Sequence, residues 1–247
     1  MNKILLSLLL IVLATSGCGV VESPISDVSS IKVRTESKYK VDLFNQNAKK
    51  LIYSKEYSNS GKLLKQTEYF ENGKIKSISQ FTYEENKAYE THLIYDEFGN
   101  LKSTIKTISL FDESGKIKEK QVVSSEGKLV SKEIYFYDTK GNLLKKVSQD
   151  LLLGTEQLTE YSYRYDRGSL VERTVSEKNP YGSNVFRDSI NYKQNEKALE
   201  ITNYNENGEV QNIKTYFYNN YGLVSVEIEA DKNGNILKKY IYQYEYF

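Results

Sequence analysis

YDEFGNLKSTIKTISLFDESGKI, residues 95–117, holds two copies of one seven-residue pattern separated by a strand-length run. Each copy opens on an aromatic ring (Tyr95, Phe111) and passes through three turn-forming residues to a glycine (Gly99, Gly115). It returns through one polar residue to an aliphatic (Leu101, Ile117). Asp96 and Asp112 can hydrogen-bond their own backbone early in a turn. The glycine supplies the positive φ of a type I turn closed by a one-residue bulge, so each copy reads as a β-hairpin.

Working outward, the same pattern recurs as YSNSGKL (57–63), YFENGKI (69–75), VSSEGKL (123–129), YDTKGNL (137–143), YNENGEV (204–210), YNNYGLV (218–224) and ADKNGNI (230–236). Degenerate copies fill the gaps: FNQNAKK from 44, YEENKAY from 83, Gly154, YDRGSL from 165, NPYG at 179–182 and YKQNEKA from 192. Fifteen turns therefore fall at 48, 61, 73, 87, 99, 115, 127, 141, 154, 168, 182, 196, 208, 222 and 234. Intervals this short leave strands of about eight or nine residues and suit a meander better than βαβ crossovers. The pattern predicts an all-β antiparallel meander of about 14–16 short strands in one domain over residues 31–247. That many strands do not stay flat, so the sheet is expected to curl into a roll or a large barrel, closed or open.

Register follows from the turn. The residue four before each glycine should face the residue two after it: Tyr57 with Leu63, Tyr69 with Ile75, Tyr95 with Leu101, Phe111 with Ile117, Tyr137 with Leu143, Tyr218 with Val224. Twelve of the fourteen intervals between turns are even. With strictly alternating side chains, even intervals would keep all the ring-bearing pairs on one side of the sheet.

The N-terminus carries a different message. Lys3 precedes an apolar stretch, Ile4 to Ala14, and then Thr15, Ser16, Gly17 and Cys18. The stretch is too short to span a bilayer and reads as a signal peptide over residues 1–17. LATSGC resembles the bacterial lipobox, with Thr15 where leucine is usual and Leu13 two residues further back. That resemblance implies acylation of Cys18, the only cysteine. It implies anchoring to a lipid bilayer in the cell envelope, at the outer membrane in a diderm cell, with residues 18–30 as a flexible tether.

Without Lys3, 33 basic residues balance 33 acidic ones, interspersed along the chain. There is thus no electrostatic footprint for nucleic acid. His92 is the single histidine, which removes His-based metal clusters and Ser-His or Cys-His catalysis; it reads as a strand residue on the face opposite Tyr95. The recurring Asp96, Asp112, Asp138 and Asp166 sit beside turn aromatics and read as turn formers. No phosphate loop is present. The expectation is a non-enzymatic protein without cofactor.

The 22 tyrosines are the compositional anomaly. Tyr135, Tyr137, Tyr216, Tyr218, Tyr240 and Tyr242 alternate along their strands and suit stacking on sugar rings or lining a groove. Ile134, Phe136, Ile213, Phe217 and Ile241 make the opposite face apolar too, so both faces compete to be the buried one.

YDEFGNL and YDTKGNL resemble the YD repeats of the RHS family, and YFENGKIKS resembles the MORN-type repeat of antitoxin-like proteins. The resemblance spans residues 40–247; in the large RHS proteins such repeats build a hollow β-shell, for which this chain is far too short, so it implies a repeat-built β fold and an envelope location, with no catalytic residue. The expected function is a membrane-anchored binding or structural module whose partner is a polysaccharide, a protein or a hydrophobic ligand. The alternatives are a periplasmic carrier of an acyl chain or hydrophobic peptide, and an immunity-type partner.

Overall fold

The computed structural model describes residues 32–45, 47–193 and 197–247. Cys18, the signal segment and the tether lie outside the described residues. Sixteen strands follow in chain order: β1 Val33–Val41, β2 Lys49–Tyr57, β3 Leu63–Tyr69, β4 Ile75–Glu84, β5 Lys87–Tyr95, β6 Leu101–Phe111, β7 Ile117–Val123 and β8 Leu129–Tyr137. The second half comprises β9 Leu143–Asp150, β10 Thr155–Asp166, β11 Ser169–Asn179, β12 Gly182–Lys193, β13 Ala198–Tyr204, β14 Val210–Tyr218, β15 Val224–Ala230 and β16 Ile236–Tyr246. Each pairs antiparallel with its sequence neighbours, and β1 pairs with β16, so the meander is a closed barrel.

Fourteen of the connections fall within a residue of where the repeat placed them, and the one expected at 196 lies outside the described residues. In the β5–β6 turn the Gly99 amide donates to the Asp96 carbonyl at 3.0 Å and the Asp96 amide to the Asn100 carbonyl at 3.0 Å. That is the type I turn with its bulge, and the same bond pair recurs at Gly61, Gly73, Gly115, Gly127, Gly141, Gly208, Gly222 and Gly234. Asp96 Oδ1 accepts from the amides of Phe98 (3.0 Å) and Asn100 (2.8 Å), and Asp112 and Asp138 do the same in their own turns. All six expected cross-strand pairs are present, Tyr57 opposite Leu63 through Tyr218 opposite Val224.

The expectation that these pairs share one side is overturned. Immediately beyond each of the nine turns that carry that bond pair the ladder skips a residue: Tyr95 faces Leu101, but Ile94 faces Ser103. Likewise Tyr57 faces Leu63, but Glu56 faces Lys65. This second bulge adds one residue to each strand that leaves such a turn and inverts its side-chain parity, whereas the Gly154 and Gly182 turns run on without a skip. Alternate hairpins lie at opposite ends of a meander, so the pairs point one way at one end and the other way at the other. Followed through the ladders, Tyr57, Phe111, Tyr137 and Tyr218 lie on one face, and Tyr69, Tyr95 and Tyr204 on the other.

The first of these faces is the inner one. It carries the buried Ser77, Ser79, Ala88, His92, Thr159, Asp188, Ile190, Leu199, Ile201 and Glu227. Across β1 on that face, the rings of Tyr53 and Tyr242 meet with centroids 6.5 Å apart, a contact between strands that are not neighbours and therefore a concave wall. The opposite face exposes mid-strand Gln80, Lys106, Glu160 and Arg187. His92 lies inside, sharing a 2.7 Å hydrogen bond with Ser79, on the face opposite Tyr95 as expected. Sixteen strands about 4.8 Å apart and tilted by about 40° make a perimeter of roughly 100 Å, the size class that encloses a channel rather than a filled core.

Two predictions follow from the turns. Gly99 has φ +95° and a methyl there would touch nothing within 4 Å, so Gly99→Ala should cost about 1–2 kcal/mol through the backbone alone. Gly99→Asn, which tolerates the left-handed region, should cost less in the same urea titration. Asp96 is held down to about 2, first by the Asn100 side chain and then by the Asn100 amide. Its folded value lies below its unfolded value, so its contribution is complete above about pH 4 and is lost as pH falls through about 2. The midpoint of unfolding should drop across that window, less steeply in Asp96→Asn.

Candidate functional site

The inner wall is lined by tyrosines interleaved with paired charges, and its densest stretch runs from β15 through β16 and β1 to β2. Glu227, 7% exposed, accepts from Lys38 Nζ at 2.7 Å and from the Tyr242 hydroxyl at 2.6 Å. Lys38 also lies 4.1 Å from the Tyr240 ring centroid. One step along β1, Glu36 accepts from the Tyr53 hydroxyl at 2.7 Å and from Lys55 Nζ at 3.2 Å. Alternation explains the grouping, because Glu36, Lys38, Tyr240, Tyr242 and Tyr244 are all inner positions on two paired strands.

A second cluster occupies β8 and β9. Glu133 accepts from the Tyr135 hydroxyl at 2.6 Å and from Lys146 and Ser148 at 3.4 Å. A third joins β11–β13, where Arg173 and Asn203 both donate to Asp188, the Asn203 bond at 2.7 Å. Beside it Ile190, Leu199 and Ile201 form the apolar patch of the wall, with Leu170, Tyr216 and Tyr218 packed against it.

All six tyrosines singled out from sequence point inward, in two regions. Tyr216, Tyr218, Tyr240 and Tyr242 sit together on β14 and β16; Tyr135 and Tyr137 lie on β8, a separate stretch of wall. They do not form one exposed row. Their rings are half-buried, and Tyr137 donates to the Ile117 carbonyl at 2.9 Å. That bond belongs to a recurrent device: Tyr83, Tyr163 and Tyr244 donate in the same way to the carbonyls of Leu63, Leu143 and Val224. In each case the acceptor opens a strand just after a turn and lies twenty residues before its tyrosine.

Sequence reasoning missed the acidic and basic partners, Glu36, Glu133, Glu227 and Lys38. Their shared signal is a charged residue at the same parity as the strand's inner tyrosines.

Burial, and after it the neighbouring carboxylate, pushes the hydroxyls of Tyr53, Tyr135 and Tyr242 up. They therefore stay protonated and act as neutral donors. Burial works against the Glu133 carboxylate, but the Tyr135 hydroxyl and Lys146 hold it below its ordinary value. The wall thus combines uncharged rings with charges neutralised in place.

Fold and lining together define a class: a closed sixteen-stranded meander barrel with a polar, tyrosine-rich inner wall. A family described as "Protein of unknown function (DUF2963)" matches residues 44–92, from the β1–β2 turn into β5. No curated protein sequence matches the chain. Among solved structures it is similar to a porin-like protein from Bacteroides uniformis, with a TM-score of 0.54 and 12% identity over 86% of this chain and 98% of that one. A porin-like protein from Bacteroides vulgatus gives 0.54 and 11% over 87% and 99%. TcdB2-TccC3 aligns with 85% of this chain and 15% of its own, at a TM-score of 0.33 and 14% identity. The porin-like pair shares the barrel fold.

The Glu227 cluster makes a quantitative prediction. Glu227→Ala strands Lys38 and should destabilise the barrel by about 3 kcal/mol, whereas Tyr242→Phe removes one neutral donor and should cost about 1 kcal/mol. Guanidinium titration of the two variants checks the ratio.

Proposed function

We propose that this chain is a non-enzymatic, lipid-anchored protein of the bacterial envelope whose barrel binds an extended polar ligand, a polysaccharide in particular, against its tyrosine-lined inner wall. The observation that carries the reading is the continuous Glu227–Tyr242–Lys38 and Glu36–Tyr53–Lys55 lining. Tyrosine faces offer stacking surface for sugar rings, and the carboxylates and lysines between them offer hydrogen-bond partners for hydroxyls. An acyl-chain carrier needs a dry apolar lumen, and paired charges on the wall disfavour it.

The lipobox-like LATSGC and the fold shared with porin-like proteins support an envelope location. Spanning the membrane with the barrel itself is disfavoured by the outer wall. Lys106, Glu160 and Arg187 face outward in mid-strand, and a lysine or arginine on a lipid-facing wall costs about 2–4 kcal/mol at the bilayer midplane. Anchoring is therefore assigned to Cys18, in keeping with the YD-repeat resemblance of residues 40–247.

Two measurements test this. Mass spectrometry of the membrane fraction should find a chain beginning at an acylated Cys18, and Cys18→Ser should release the protein in soluble form. Tyrosine-fluorescence titration with neutral oligosaccharides should show saturable binding that Tyr242→Ala and Tyr135→Ala weaken about tenfold. Saturable binding of fatty acids with none of sugars would replace the reading with a carrier.

A further inference from the structure

The two ends of the barrel differ. At the end where the chain enters, beside Val33 and Tyr246, the turn residues 58–60, 85–86, 112–114 and 138–140 are Ser, Asn, Glu, Asp, Thr and Lys, and the most exposed aromatic side chains there, Tyr221 and Phe247 at 49% and 56%, sit side by side with Tyr246 in one sector. The far end is formed by the β1–β2, β3–β4, β5–β6 and later alternate turns. There Phe44, Phe98 and Tyr181 are 103%, 83% and 93% exposed, and Leu152 and Leu153 67% and 74%. They occupy the apices of separate hairpins, β1–β2, β5–β6, β9–β10 and β11–β12. The parity inversion adds to this: at the far end the pairs after the glycine turns face outward, leaving Ile75, Leu101 and Ile236 39%, 55% and 48% exposed.

We propose that this far rim seats in the interfacial layer of a lipid bilayer. Three of the hairpins carrying apolar tips are four strands apart, so the tips cover rather more than half of a perimeter of roughly 100 Å, from β1–β2 round to β11–β12. A flat, deformable apolar surface meets tips on separate hairpins at once, without having to match the shape of each. Among the charges at the tips, Lys102 pairs with Asp96 at 3.3 Å, Lys40 with Glu71 at 2.8 Å and Lys128 with Glu126 at 3.2 Å, and the far-end turns carry acids as well as bases. The rim thus has no field directed at anionic headgroups, and the attraction is apolar.

The tether permits the geometry, a point that rests on the Cys18 reading above. From residue 18 to residue 32 an extended chain reaches roughly 45–50 Å. The longest strands, 12 residues, run about 40 Å, so the reach is enough for an acyl group on Cys18 and the far rim to enter the same leaflet.

The barrel closes entirely within residues 33–246, so residues 19–247 retain the fold and remove the anchor from the experiment. The chain contains no tryptophan, which makes Phe98→Trp a single reporter at the far rim and Asn59→Trp its counterpart at the entry end. With phosphatidylcholine vesicles, the Phe98→Trp emission should shift to the blue, independently of salt, and the Asn59→Trp emission should not move. Adding Phe44→Ser and Tyr181→Ser should lower vesicle partitioning at least tenfold. A shift at residue 59 alone, or at neither position, overturns the proposal. So does a lipid-free shift at residue 98 accompanied by doubling of the mass in sedimentation, which would assign the rim to a second copy of the chain. Each outcome is read without Cys18 and leaves the anchoring test independent.

Discussion

Pairing of β1 with β16 closes the sheet on itself and leaves it without an edge. A meander of sixteen strands left open would present two rows of unpaired amides and carbonyls, which invite association with other chains. Here Val33 meets Tyr246 and Lys40 meets Tyr240, and the last amide beyond the ladder, that of Phe247, finds the Lys32 carbonyl at 3.1 Å. Closure forces every side chain to choose between a concave and a convex environment, and in doing so assembles Glu36, Lys38 and Tyr242 from opposite ends of the chain.

What fills the concave side is unusual for a protein interior. Few aliphatic side chains are buried, and the small patch of Ile190, Leu199 and Ile201 is the clearest apolar cluster among the described residues. Tyrosine takes the place of leucine. Its ring covers neighbouring backbone while its hydroxyl satisfies either a carboxylate, as Tyr135 does for Glu133, or a strand-opening carbonyl, as Tyr137 does for Ile117. A buried carboxylate is tolerable only with such donors, and tyrosine supplies them without adding a charge.

Turns, strands and facing pairs were legible because they are local. Gly99 needs a left-handed φ, Asp96 sits two residues from the amide it accepts, and Tyr95 opposite Leu101 follows from counting across that turn. Parity was not legible, since the extra residue at Lys102 belongs to the ladder rather than the turn and nothing in its identity marks it. Nor was closure, which depends on twist summed over every strand. The inner face was ambiguous because Tyr135 and Phe136 are both large and apolar; only the concavity shows that the first is sheltered and the second, at 47% exposure, is not. The six tyrosines were therefore found without the glutamates and lysines that complete them.

The parity inversion has an evolutionary consequence. Because each of the nine bulged glycine hairpins reverses the sense of its side chains, one such strand is not a copyable unit: inserting a single strand would leave the ends parallel and exchange in for out. Two consecutive strands with their two turns restore both direction and sense. Duplication in such modules lets the circumference grow by even numbers while every older side chain keeps its environment, a route by which a short ancestral ribbon enlarges into a ring without passing through an inverted intermediate.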